Sequence, residues 1–435
     1  MSAGRPAAGT APAAAAALPS AERILVLDVL RGIALVGMFV VHFVNNTNPG
    51  TSGGGQIVAR LTASLLTTRF WAMFAILFGV GFAVQLRRAD ARGTGFTARY
   101  LRRVLALLGF GLIAELGFGY PVLVGYALWG MPLLLVRRWP TRWLVVLLVV
   151  CLTSLSAFAI GQTAYGVSRY GDAGWRTETI ERTAADRAFL EEADAIASRS
   201  GNYATVLALR LRHKLWGYSR LYRFLPTNDF ALFLIGMIGL RLGVFDRPRE
   251  HRRLIVGLML FGVVSWVADP WGFPGIALDP PRPGEPLLRA VIAKQRTWGF
   301  GLVREMWLAF TYIGAVLLLV ASDAAWLRRF RPFASAGRMA LTNYMLQVAV
   351  LDLTFSRYAL GIRVSTLAAP FVALVLFAVQ VAASRWWLAR YQYGPLEWIW
   401  RSVTYWKRQP FLRVAPPTTP IAPLRLTSTT TSGSG

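Results

Sequence analysis

The chain has 435 residues, of which 55% are hydrophobic and 16% are charged, and its mean hydropathy is +0.46. A soluble domain of this length is far less apolar, so the composition predicts an all-α fold, a polytopic membrane helical bundle. The net charge of +26 does not indicate nucleic-acid binding, because the basic residues form short clusters between apolar runs, as positive-inside topology requires.

The first apolar run, residues 24–44, holds an acid, an arginine and a histidine. Residues 1–21 before it are rich in Ala, Pro and Gly, which predicts a disordered tail without a cleavable signal. Asp28 and Arg31 are three residues apart and can form an ion pair, and His42 falls near the same stripe of the helix. Charged groups are costly in lipid, so they indicate either a functional site or a structural ion pair that fixes helix packing.

Apolar runs of membrane-spanning length recur along the chain and predict about ten transmembrane helices. They lie at residues 24–44, 70–86, 104–118, 122–136, 144–160, 230–242, 254–267, 306–321, 334–353 and 367–383. Arginine clusters follow the even-numbered runs, which places those loops and both termini on the cytoplasmic side. We therefore expect a multi-pass membrane protein, with the lipid bilayer as its first partner.

The runs divide into two predicted membrane halves of five helices each, at 22–162 and 228–410. Residues 163–227 between them form a polar segment that we expect outside the cytoplasm, with an amphipathic helix in its second part. Residues 411–435 are predicted to be a disordered tail rich in Pro, Thr and Ser. Cys151 is the single cysteine and the chain has three histidines, so we expect neither an internal disulfide nor a metal site.

Four stretches carry a resemblance to a known family. They are LDVLRGIALVGMFVVHF at 27–43, RFWAMFAILFGVGFAV at 69–84, GRMALTNYMLQ at 337–347 and YGPLEWIWRSVTYWKRQP at 393–410. Together they resemble the YeiB-like family of bacterial multi-pass membrane proteins, which is domain of unknown function 418. The LDxLRG opening is also similar to that of transmembrane acyltransferases of the heparan-alpha-glucosaminide acetyltransferase type. The resemblance implies a membrane enzyme that moves an acyl group from a cytoplasmic thioester donor to an acceptor on the other side.

Polar residues expected toward the outer face suit the chemistry of acyl transfer, which needs a base for the acceptor proton and fixed donors for the developing oxyanion. We assign His42 as the base, with Glu115 or Asp352 as its orienting acid. The alternative for His42 is an interfacial residue satisfied by one hydrogen bond. The substrate-binding candidates are Asp28, Arg31, Asn45, Asn46, Arg69, Arg304, Glu305, Asn343 and Gln347.

Arginines and tryptophans are expected at the inner face. An acyl-CoA donor favours arginines at the membrane surface, with aromatic rings that stack on its base. The donor-binding candidates are Arg385, Glu397, Trp398 and Arg401. Such residues are also common at the inner interface of any polytopic protein. Asn343 and Gln347 share one helical face, where packing between helices competes with a role in a cavity.

Two functions from different classes follow from this pattern. The first is a membrane-bound O- or N-acyltransferase that acylates a cell-envelope saccharide, lipid or small amine, with acyl-CoA as the candidate donor. The second is a transporter or flippase that uses the same buried polar cavity. A non-catalytic membrane scaffold is a third hypothesis. The sequence leaves the donor, the acceptor and the oligomeric state open.

Overall fold

The computed structural model describes residues 20–48, 53–218, 228–268 and 286–413. The secondary structure in these ranges consists of helices, with no β-strand among the described residues, so the predicted all-α class is confirmed. The helices are α1 (Ser20–Asn45), α2 (Gly53–Leu65), α3 (Arg69–Ala91), α4 (Thr97–Leu112), α5 (Val122–Gly130), α6 (Leu133–Val136), α7 (Thr141–Arg199), α8 (Tyr203–Tyr218), α9 (Asn228–Arg241), α10 (Arg252–Ala268), α11 (Leu287–Ser322), α12 (Ala324–Arg338), α13 (Ala340–Phe355), α14 (Ala369–Arg390) and α15 (Pro395–Tyr405). A π-helical turn, Ile113–Gly117, continues α4. The two predicted tails fall almost wholly outside the described residues.

The structure corrects the predicted number of membrane spans. Three helices in the described ranges are long and apolar enough to cross a membrane, namely Leu25–Asn45, Gly53–Ala91 and Ala369–Arg390. A fourth candidate is the pair Thr141–Ser154 and Ser156–Asp186, which is bent by 46°. The prediction of about ten spans fails on length within the described ranges: the apolar helical segment Val122–Val136, for example, is shorter than 18 residues. At about 1.5 Å per residue, such helices do not reach across roughly 30 Å of hydrocarbon.

The α7 helix runs through the predicted boundary between the first membrane half and the polar segment. It has 59 residues, bends by 46° between Ser154 and Ser156, and contains Gly171, whose φ of 70° and ψ of 169° are not helical. Its polar part carries ion pairs one helical turn apart, Arg176 with Asp172 and Arg182 with Glu178. Such pairs support an exposed helix, so polar composition here marks a solvent-facing helix rather than a loop. The division into two halves remains a prediction.

The α1 helix lies at the centre of the fold and packs against α3, α12, α13 and α14. It is buried on several faces, with Val29, Leu30 and Leu35 fully buried, as expected for a helix that is apolar all round. Its crossing with α12 is close: a Cβ on Gly337 would overlap the carbonyl oxygen of Asp28. This contact fixes the Asp28 turn of α1 against the end of α12.

Candidate functional site: an arginine-lined cavity between the helices

A cavity of about 430 Å³ opens between α1, α3, α4, α5, α12, α13, α14 and α15. One end is polar, and two of its arginines, Arg88 and Arg338, are exposed. The other end is apolar and aromatic and includes the buried residues Met38, Tyr126 and Tyr344. Along α1 the lining extends from Asp28 to Met38, a rise of about 15 Å. The cavity is therefore amphipathic along its length.

The polar end contains the ion pair that the sequence predicts in the first span. Nη1 of Arg31 donates to Oδ1 of Asp28 at 2.7 Å, and the two side chains are 30% and 11% exposed. Both residues line the cavity. They therefore face the cavity, which agrees with the cost of placing charge in hydrocarbon.

Positive charge exceeds negative charge around this end of the cavity. Asp28 lies within electrostatic range of Arg338 and Arg401 as well as Arg31, and Arg103 lies within range of Arg31 and Arg401. Five arginines and two carboxylates line the cavity among the described residues. The arginines are Arg31, Arg88, Arg103, Arg338 and Arg401. Guanidinium groups held together in this way favour an anionic group that accepts several hydrogen bonds, such as a phosphate.

The second carboxylate, Glu397 in the GPLEW motif, caps α13. It accepts hydrogen bonds from the backbone N–H groups of Leu341 at 2.7 Å and Thr342 at 3.0 Å, and from the Thr342 hydroxyl at 2.6 Å. Burial raises the pKa of the Glu397 carboxyl, and the hydrogen bonds from Thr342 and Leu341 oppose that shift. Gly394 is required beside it, because a Cβ there would overlap Glu397 and lie 3.0 Å from Met339 and Thr342. The motif thus holds α15 against the start of α13.

Replacing Glu397 with alanine is expected to lower the free energy of unfolding by about 1 to 3 kcal/mol, because buried N–H groups at the start of α13 lose their acceptor. Glu397→Gln keeps an acceptor oxygen and is expected to retain most of the stability. Thermal unfolding of the detergent-purified proteins measures both. Equal melting temperatures for Glu397→Ala and the wild type would contradict the capping role.

Two arginines of the cavity lie over aromatic rings in or next to the GPLEW motif. The guanidinium of Arg103 lies 3.8 Å from the ring centre of Trp400, and Nε1 of Trp400 donates to the Arg103 carbonyl oxygen at 2.7 Å. The guanidinium of Arg401 lies 4.5 Å from the ring centre of Tyr393. Cation–π contacts of this kind orient a guanidinium without consuming its hydrogen-bond donors. Neither guanidinium group donates a hydrogen bond within the described ranges, so its N–H groups can bind an anion.

The predicted donor-binding residues separate into two pairs. Glu397 and Arg401 line the cavity. Trp398 is outside the lining, and its Nε1 donates to the carbonyl oxygen of Gln409 at 2.8 Å. Arg385 is also outside the lining and is exposed on α14. Only the first pair therefore lies where a ligand in this cavity would be contacted.

His42 lies beyond the apolar end of the cavity rather than in its lining. It is one helical turn past Met38, which does line the cavity, so the two are about 6 Å apart along α1. Its ring packs edge-on against Tyr120, with 4.9 Å between ring centres. Nε2 of His42 is buried without a hydrogen-bond partner among the described residues. Nδ2 of Asn46 donates to the Tyr120 hydroxyl at 2.9 Å, which completes a small polar group at this end.

The two carboxylates predicted to orient His42 pair with cations of α8. Lys214 forms an ion pair with Glu115 in the π-helical turn. Nη2 of Arg210 donates to Oδ1 of Asp352 at 2.6 Å, and the Ser356 hydroxyl donates to the same oxygen at 2.8 Å. These pairs hold α8 over the ends of α4 and α13. The orienting role of either carboxylate toward His42 stays a prediction.

Several predicted substrate-binding residues make structural contacts between helices. Nη1 of Arg69 donates to the carbonyl oxygen of Thr67 at 2.7 Å, in the turn between α2 and α3. Nδ2 of Asn343 donates to the Ser384 hydroxyl at 3.0 Å, and Nε2 of Gln347 donates to Oε1 of Gln380 at 2.9 Å. The latter two join α13 to α14, which favours packing over a cavity role.

The remaining predicted substrate-binding residues are not part of the cavity lining. Asn45 and Asn46 are exposed at the end of α1. Arg304 and Glu305 lie in α11, and their side chains are outside what the structure describes. Within the described ranges, no group of three or more His, Cys, Asp or Glu residues could hold a metal ion.

Several residues that line the cavity were not among the predicted site residues, because their positions in the sequence have ordinary explanations. Arg88 and Arg103 belong to a basic cluster that topology alone explains, and Arg338 lies in the GRMALTNYMLQ stretch. Tyr126 and Tyr344 look like ordinary aromatic residues of apolar runs. The position of Arg338 and Tyr344 within one family-like stretch was the available signal.

The fold and the cavity define an all-helical protein with several helices apolar enough for a membrane and an arginine-lined chamber between them. Residues 240–407 match the family model "Protein of unknown function (DUF418)", and residues 23–163 match "Heparan-alpha-glucosaminide N-acetyltransferase, catalytic". The resemblance to YeiB-like proteins and to acetyltransferases of this type is thereby confirmed.

The relatives match along most of the chain. The chain is 28% identical to the uncharacterized protein YxaH of Bacillus subtilis, over 90% of this chain and 96% of that protein. It is 26% identical to the uncharacterized protein YeiB of Escherichia coli, over 88% of this chain and 96% of that protein. It is also 26% identical to an uncharacterized 39.9 kDa protein of Bacillus acidopullulyticus, over 90% and 96% of the two chains. No solved structure matches the chain significantly.

Proposed function

We propose that the protein is an integral membrane acyltransferase, which moves an acyl group from a cytoplasmic thioester donor to an acceptor of the cell envelope. The match to the acetyltransferase catalytic model supports this class of activity. That matched segment supplies the cavity wall from Leu27 to Tyr126, and the DUF418 segment supplies the wall from Gly337 to Arg401. Both matched parts of the chain therefore contribute residues to the proposed site.

The excess of arginine around the polar end of the cavity is the observation that carries the proposal. Arg31 and Arg401 both lie within electrostatic range of Arg103. Asp28 offsets part of this charge, and Glu397 is engaged as the cap of α13. The phosphates of an acyl-CoA would supply the missing negative charge. The apolar remainder of the cavity would receive the acyl end of the donor.

In the proposed reaction, a hydroxyl or amine of the acceptor attacks the thioester carbonyl carbon. A bond forms between acceptor and acyl carbon, and the carbon–sulfur bond breaks as the thiolate leaves with its electron pair. His42, one turn beyond the cavity, takes the acceptor proton. The same proton can then pass to the departing thiolate, so atoms and charge balance.

The proposed topology is multi-pass, with both termini in the cytoplasm of a bacterial cell. The exposed arginines Arg88 and Arg338 at the polar end agree with that orientation, because cytoplasmic loops carry an excess of positive charge. The orientation places the polar end of the cavity toward cytoplasmic acyl-CoA. His42 and α8 then lie toward the outer face.

Replacing His42 with alanine tests the proposal directly. We expect acyl turnover to fall by about a hundredfold or more, the usual contribution of a general base, with binding of the donor retained. The measurement is release of free thiol from acetyl-CoA by protein in lipid nanodiscs, supplied with candidate sugar and amine acceptors. His251→Ala is the matched control, because that histidine lies between α9 and α10 and bonds to the Leu242 carbonyl oxygen.

Two results would count against the acyltransferase. Undiminished thiol release by His42→Ala would remove the proposed base. Net movement of a substrate across the vesicle membrane without any acyl turnover would favour the transporter or flippase that the sequence also allows.

A further inference from the structure

Buried polar atoms without partners border the apolar end of the cavity. The Tyr344 side chain lines the cavity and is 5% exposed, yet its hydroxyl has no hydrogen-bond partner among the described residues. Nε2 of His42 and Oδ1 of Asp229 are also buried and have no hydrogen-bond partner within the described part of the chain. Buried polar groups are almost always paired, and an unpaired one destabilises the fold. Three such atoms around one region therefore require an explanation.

These three atoms lie around the same end of the cavity. His42 is one turn beyond the cavity-lining Met38. A Cβ on Gly125, beside the cavity-lining Tyr126, would lie 3.2 Å from Oδ2 of Asp229. Tyr344 is within electrostatic range of both Tyr120, which packs on His42, and Glu115. Tyr344 thus stands between the cavity and the polar group around His42.

The hydroxyls of two other cavity tyrosines are already engaged. Tyr126 donates to the Trp71 carbonyl oxygen at 2.9 Å, and Tyr100 donates to the Gly130 carbonyl oxygen at 3.0 Å. Both bonds hold neighbouring helices together, and neither hydroxyl is available as a donor for a ligand. Tyr344 differs from them because its hydroxyl lies at the wall of the cavity and donates to no acceptor among the residues that the structure describes.

We propose that the Tyr344 hydroxyl binds the carbonyl oxygen of an acyl thioester held in the cavity. The inference rests on the proposed function and adds the position of the reacting group: the anionic part of the donor lies among the arginines, and its carbonyl lies at Tyr344. When the acceptor attacks, the carbonyl π electrons move onto oxygen, and a donated O–H bond stabilises that charge. Collapse restores the carbonyl and expels the thiolate. Tyr344 keeps its proton throughout.

The experiment compares two stable thioethers of coenzyme A that differ by one carbonyl. S-(2-oxopropyl)-CoA carries a ketone one methylene group away from the sulfur, and S-propyl-CoA has a methylene group in place of that carbonyl. We expect the wild-type protein in nanodiscs to bind the ketone about three- to tenfold more tightly, the effect of one neutral hydrogen bond. Tyr344→Phe is expected to abolish that preference. Its ligand-free melting temperature is expected to match or exceed the wild-type value, because only an unpartnered hydroxyl is removed.

Tyr312→Phe is the matched control, since it makes the same chemical change away from the cavity and removes a hydroxyl that donates to the Leu65 carbonyl oxygen at 2.8 Å. It should lower the melting temperature and keep the ketone preference. Binding of both thioethers with the same preference in Tyr344→Phe would overturn the role of Tyr344 alone. If neither thioether binds the wild type, the proposed function fails, and this inference fails with it.

Discussion

Gly337→Val is expected to destabilise the protein by about 3 kcal/mol or more, at the upper end of the cost of overpacking. The overlapped atom is the carbonyl oxygen of Asp28, a backbone atom in the middle of α1 that cannot move aside as a side chain could. Either α1 separates from α12 or the variant fails to fold. Separation would also displace the Asp28 and Arg31 pair from the cavity, so binding of CoA should be lost together with stability.

Gly257→Val provides the comparison for this variant. Gly257 is also helical, in α10, and a Cβ there would meet nothing within 4 Å. The melting temperature of Gly257→Val should stay close to that of the wild type, because valine is at least as good a helix former as glycine. Size-exclusion profiles and thermal unfolding of the two variants measure the difference. A Gly337→Val protein with wild-type stability would show that the α1 and α12 backbones are not in contact.

Arg401→Gln is expected to weaken the binding of coenzyme A by about ten- to a hundredfold, the range for one hydrogen bond to a charged group. The Arg401 guanidinium lines the cavity, lies over Tyr393 and is in electrostatic range of Arg103. Glutamine keeps a donor at this position but removes the charge. Titration calorimetry in nanodiscs gives the affinity, and wild-type binding should weaken as salt is raised.

Arg390→Gln is the control for this second variant, because Arg390 is exposed on α14 and its guanidinium lies over Trp386, outside the cavity. Its affinity for coenzyme A should equal that of the wild type. Equal losses in Arg390→Gln and Arg401→Gln would indicate general attraction to a basic surface. An unchanged affinity in Arg401→Gln would remove the cavity from consideration as the donor site.

The local sequence pattern was sufficient to predict the helical class and one ion pair. The apolar run at 24–44 corresponds to α1, and the spacing of Asp28 and Arg31 predicts the pair that the structure contains. These are short-range properties, because side chains three residues apart share one helical face.

The number of membrane spans and the residues of the cavity depend on tertiary contacts, which the local sequence pattern does not show. Apolar runs predict burial, but the apolar helical segment Val122–Val136 is too short to cross a bilayer, so a short apolar helix resembles a span in the sequence. Arg103 reaches the cavity because α15 places Trp400 against it, almost 300 positions later in the chain. A cluster of arginines looks the same in sequence whether it lies at a membrane surface or around a ligand.

The cavity wall has consequences for how activities are assigned among related sequences. One side comes from the part that matches an acetyltransferase and the other from the part that matches DUF418. A protein that contained only one of these parts would lack one wall of the cavity. When an activity is assigned to a related sequence, both parts should therefore be compared. Pairs such as Arg103 and Trp400, which join the two parts, are the residues to compare first.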